Sequence, residues 1–156
     1  MTEYREAPED ILELVEKYAK KFHPHLRGRK IAVLMKDKAT QSHGKTVLGS
    51  AALLSPKMKP LLQEEYDFVL CFPFDVWNSN DQKTKEAIVD HELTHCAIDT
   101  DGTPYIRPHD YEEFAVIVER HGFWRNDGGE LAIQQTFGLK INEKAPVKVG
   151  TLVETR

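Results

Sequence analysis

Apolar residues recur at helical spacing near the start of the chain. Ile11, Leu12, Val15, Tyr18, Ala19 and Phe22 share one face of the segment Pro8 to Phe22, with acids early and lysines late. That charge order suits the helix dipole, so a helix is predicted there. His23-Pro24-His25 ends it, because the residue before a proline avoids the helical region. Lys30 to Lys36 (KIAVLMK) is a short apolar run between charges and predicts a buried strand. Thr40 to Lys45 reads as a turn punctuated by Gly44, and Thr46 to Leu54 is expected as the second strand of a hairpin. Gly49 inside that strand marks either a bulge or a close approach of the backbone to something else. Pro56 to Glu65 is a connector.

Tyr66 to Phe74 (YDFVLCFPF) is apolar on both faces and predicts a strand that Pro73 closes or places at an edge. The next segment, Asp81 to Ile98, predicts a helix with Asp81 as N-cap and Ala87, Ile88, Leu93 and Ile98 as apolar contacts. Asp99 to Pro108 reads as a loop. Asp110 to His121 predicts another helix, with Tyr111, Phe114, Ala115, Ile117 and Val118 facing inward and Gly122 stopping it. Asp110 and Glu113 have capping-box spacing. A last helix is expected over Glu130 to Phe137, followed by a tail or an added strand.

At 156 residues, 40% hydrophobic and 29% charged, the chain fits one globular domain, here 1–140 with a C-terminal tail over 141–156. The size suffices for a hydrophobic core without disulfides. No apolar run is long enough to span a membrane, and the acidic N-terminus has none of the features of a signal peptide. Two cysteines, Cys71 and Cys96, fit a reducing compartment, so a cytoplasmic location is expected. Cys96 is read as a small packing residue. Net charge is −4, yet Lys20 to Pro60 carries ten Lys/Arg and one acid, Asp37. Such a block either meets an anionic partner or is attracted to the acidic remainder of the chain.

One stretch carries chemistry. His91-Glu92-Leu93-Thr94-His95 is an H-E-x-x-H sequence on a predicted helix. Histidines at i and i+4 lie one turn apart on one face, so both imidazoles can reach a single cation at about 2.0–2.1 Å. Glu92 stands beside that face, where a carboxylate can take a proton from a water on the metal. Zinc suits this work because it is redox-inert and acidifies water. A catalytic zinc takes three protein ligands. His109 is the first candidate for the third, and Glu112, Glu113 and Asp110 are rivals; the capping-box position of Glu113 already explains an acid there. His23, His25 and His43 lie in predicted turns and are read as solvated. His121 closes a helix, where a histidine favours the dipole.

His91-Glu92-Leu93-Thr94-His95 followed by His109-Asp110-Tyr111-Glu112-Glu113-Phe114 resembles the metallopeptidases encoded by bacteriophages and prophages. More distantly it is similar to SprT-like zincins, in which a third histidine and then a phenylalanine follow the H-E-x-x-H helix. Those proteins usually have glycine after the third histidine, whereas Asp110 stands here. The resemblance runs from about Tyr66 to Gly122. It implies an α+β, zincin-like fold: an N-terminal helix, a small mixed sheet, the H-E-x-x-H helix and a ligand-bearing helix after it. It also implies a host-cytoplasmic protein. The expected activity is zinc-dependent hydrolysis of a protein or peptide, with the strand from Tyr66 to Phe72 pairing with extended substrate. The alternative is a zinc-binding protein of the same fold that acts by contact with nucleic acid or a regulator. Weak, salt-sensitive DNA binding through the basic 27–59 segment is expected in either case.

Overall fold

The computed structural model describes residues 3–55, 65–109 and 114–122, and the backbone of 140–142 and 151–153. The expected connector at Pro56–Glu65 lies almost wholly outside these residues, and the expected helix at Glu130–Phe137 wholly so. The chain runs β1 (Tyr4–Glu6), α1 (Glu9–Phe22), a 3-10 turn (Pro24–Leu26), β2 (Ile31–Lys36), β3 (Gln41–Ser42), β4 (Lys45–Thr46), β5 (Ser50–Leu53) and β6 (Phe68–Pro73). Then follow α2 (Phe74–Ser79), α3 (Gln82–His95), β7 (Cys96–Ile98), β8 (Pro104–Ile106), α4 (Ala115–His121), β9 (Lys140–Asn142) and β10 (Thr151–Val153). The architecture is mixed α+β. β9 pairs with β10, so the chain beyond residue 140 includes a strand pair.

Pro8 caps α1 in an extended conformation, and Ile11, Leu14, Val15 and Tyr18 form its buried stripe. The principal sheet has the order β1-β2-β6-β5. Its centre is a parallel pair in which Ile31 stands opposite Phe68 and Met35 opposite Phe72. Val33, Met35, Phe68, Leu70 and Phe72 are all buried in one core with the apolar faces of α1 and α3. Each side chain of this size contributes about 1.5–3 kcal/mol by leaving water.

The expected hairpin between β2 and the segment after it does not form. β5 pairs antiparallel with β6, which inserts between β2 and β5. Because β6 is apolar on both faces and bonded on both sides, it is an interior strand and has no edge for a substrate backbone. Pro73 closes β6 and becomes the extended N-cap of α2, where its missing N–H costs nothing. α2 brings Trp77 onto Phe72, with ring centroids 5.1 Å apart.

Candidate metal centre

The site is built on α3. The Asp81 side chain caps this helix by accepting a hydrogen bond from the Thr84 amide at 2.9 Å. Ala87, Ile88, Val89 and Leu93 bury its inner face. The helix ends at His95, three residues short of the sequence expectation. Cys96–Ile98 leaves directly as β7 and pairs with β8, so the expected loop at Asp99–Pro108 is largely a hairpin. Its turn is held by the Asp99 carboxylate, which accepts from the amides of Asp101 and Thr103 at 3.0 and 2.9 Å. At the open end the Arg107 amide donates to the His95 carbonyl at 2.8 Å. The His95 ring returns a bond, Nδ1–H to the Arg107 carbonyl, at 2.6 Å. That bond fixes the tautomer that turns the Nε2 lone pair of His95 toward the site.

Two residues past Arg107, the chain delivers His109. Its Nε2 lies 3.0 Å from Nε2 of His91 and 3.0 Å from Nε2 of His95. The structure thus brings together three of the residues singled out in the sequence. His109 stands in a non-helical segment after β8. The described part of the next helix, α4, begins only at Ala115, with Phe114 as an extended cap. The rivals Asp110, Glu112 and Glu113, and with them Tyr111, lie outside the described residues.

A neutral imidazole nitrogen carries at most one proton, so Nε2 of His109 cannot donate to both neighbours at once. Three imidazole nitrogens at this spacing could instead hold a cation, and neutral imidazoles suit zinc. Phe114, fully buried, closes the floor. Its ring centroid is 5.2, 4.8 and 5.1 Å from those of His91, His95 and His109. The sequence marked Phe114 as an apolar helix position and, through the resemblance, as the phenylalanine after the third histidine.

Glu92 follows His91 on α3 and is 5% exposed. The residue opposite it is Gly49, in the extended segment between β4 and β5, where a Cβ would stand 3.1 Å from Cγ and Oε1 of Glu92. Of the two expectations for Gly49, a close backbone approach is the one found.

Behind the metal face lies a polar knot that the sequence did not reveal. Asp90 is fully buried. Its carboxylate accepts from His23 Nε2 at 2.7 Å, from His121 Nε2 at 2.8 Å and from Arg120 Nη1 at 2.7 and 2.8 Å. Burial opposes its charge, but the bonds from His121, His23 and Arg120 outweigh it and hold the carboxyl below the usual carboxylate range. His23 is therefore a buried structural residue, against the solvated reading. His25 is exposed yet donates from Nε2 to the Cys96 carbonyl at 2.8 Å. Only His43 is a turn residue without such a distant partner in view: it is exposed, at positive φ, beside Ser42. Cys96 is buried, as a packing residue should be.

Of the basic residues, Arg27, Arg29 and Lys30 precede β2, while Lys36, Lys38 and Lys45 lie at its far end or beyond it. Arg29 also donates to the Gly102 carbonyl at 2.9 Å, which ties the segment before β2 to the β7–β8 turn.

His109→Ala is expected to weaken zinc binding by more than about 100-fold, beyond what losing a supporting partner costs. His43→Ala should leave affinity unchanged. Competition titration against a chromogenic chelator measures both, and parent-like affinity in His109→Ala would remove it from the ligand set.

A family model described as "Putative phage metallopeptidase" matches residues 2–137. No curated protein and no solved structure matches the chain.

Proposed function

Since the chain belongs to the phage metallopeptidase family, we propose that it is a zinc-dependent peptidase with His91, His95 and His109 as metal ligands and Glu92 as general base. The observation that carries this reading is the convergence of three imidazole Nε2 atoms, with His109 3.0 Å from each of the others. The donor set fits a catalytic zinc, which binds three protein ligands, here all nitrogens, and keeps one position open. Zinc held there would supply the Lewis acidity that acidifies water and polarises a scissile carbonyl.

The remaining work falls to this chain's own residues. Glu92 accepts the proton of the attacking water and can return it to the leaving amine. The Arg107 carbonyl keeps His95 in its ligating tautomer, and Phe114 packs the three rings against rotation. An extended substrate is proposed to add alongside β5, which ends the strand order of the principal sheet. The arrangement supports a zincin-like reading of the fold. None of the described helices is long and apolar enough to cross a membrane.

The test is elemental analysis together with hydrolysis of a peptide library. About one zinc per chain is expected, with cleavage lost on chelation and restored by zinc. Absence of zinc, with no uptake on titration, overturns the reading.

A further inference from the structure

Gly49 does not have a positive φ, unlike Gly28, Gly44, Gly102 and Gly122. Backbone freedom therefore does not account for a glycine here, but space does. A Cβ at this position would lie 3.1 Å from three atoms: Cγ and Oε1 of Glu92 and Cδ1 of Phe72. Of these, Phe72 cannot give way. It is fully buried, and its ring is backed by Trp77 with centroids 5.1 Å apart. The Glu92 carboxylate stands at the end of a side chain with rotatable bonds, so it is the group that a methyl there would displace. The Gly49 segment is itself held from both sides. Before it, the Val47 amide donates to the Thr40 carbonyl at 2.9 Å and Leu48 packs on the core. After it, Ser50–Leu53 is laddered to β6.

We propose that Gly49 is a positioning residue: its bare backbone, with the Phe72 ring, forms the seat that fixes where the Glu92 carboxylate stands. This rests on the reading of Glu92 as the general base. The consequence for the reaction is geometric. A proton acceptor must sit within hydrogen-bond reach of the attacking water, and a displacement of about 1 Å can already cost about 10²-fold in rate. A methyl group at position 49 fills the seat and pushes the carboxylate out of line, while the three histidines, none of them among the atoms nearest that methyl, keep their places.

The experiment is a double-mutant cycle on the protein as purified. Gly49→Ala is placed in the parent and in Glu92→Ala, and thermal unfolding, zinc content and steady-state kinetics are recorded. In the parent, Gly49→Ala should lower Tm by a few degrees, on the order of 2–6 °C, as overpacking does. In the Glu92→Ala background the loss should be smaller, because the carboxylate is gone and only the contact with Phe72 remains. Against an unchanged KM and zinc content, kcat of Gly49→Ala should fall by about tenfold or more. A Tm loss equal in both backgrounds assigns the contact to Phe72 and overturns the seat. A coupled Tm loss with parent-like kcat overturns the positioning role. The cycle reads the seat whether or not the parent cleaves a peptide, so its failure is distinct from failure of the peptidase reading.

Discussion

Replacing Glu92 by glutamine is expected to lower kcat by roughly 10²–10⁴-fold, the usual worth of a positioned general base. The fold and the zinc content should not change. The amide has nearly the shape of the carboxylate and fits beside Gly49, but it cannot take a proton. None of the three imidazoles is touched, so elemental analysis should return the parent stoichiometry. Single-turnover hydrolysis of a peptide that the parent cleaves is the measurement. Parent-level cleavage by the variant would remove Glu92 from the role and leave the proton to another group.

The second large effect is on stability. Asp90→Ala removes the acceptor of four hydrogen bonds that join the end of α1, the metal helix and the end of α4. Removing one side of a buried ion pair typically costs about 3–5 kcal/mol. The lower end applies here, since the Arg120 side chain keeps 21% of its surface in water and can be partly resolvated. Tm should fall by roughly 6–12 °C, read by calorimetry on the zinc-loaded protein. The pH dependence has a definite sign. The folded-state pKa of Asp90 is depressed, so its contribution is complete above the unfolded value of about 3.9 and is lost as pH falls below it. A shift under 2 °C would show that His23, Arg120 and His121 find water as readily as they find Asp90.

Much of the candidate site, the histidine cluster, was legible because its logic is local. His91 and His95 are one helical turn apart with Glu92 next to the first, and Asp81 announces the start of their helix within the same stretch. Gly49 was legible as an exception in an apolar run. The Asp90 knot was not, since His23 and Asp90 are 67 positions apart and nothing near His23 distinguishes it from a solvated turn residue. The strand order escaped for a similar reason. β5 looks like the partner of β2 until β6, much later in the chain, takes the place between them. Strands of three residues such as β7 and β8 are too short to alternate visibly. The apolar Ile98 therefore read as one more helical contact, and the helix was carried past His95.

The switch from helix to strand at His95 has a consequence for how the chain tolerates insertion and deletion. His109 is positioned by counting forward from the open end of the β7–β8 hairpin, where His95 and Arg107 exchange bonds. The turn at Asp99–Thr103 is at the other end of the ladder. Residues added there lengthen a tip that points away from the histidines and leave the register of Arg107 intact. One residue added between Arg107 and His109 moves that ring by about 3.3 Å along an extended chain and turns it to the opposite side. Two neighbouring stretches of one short connection thus differ sharply in what they permit. Relatives of this protein should vary in length at the tip and keep a fixed count of residues from Arg107 to His109.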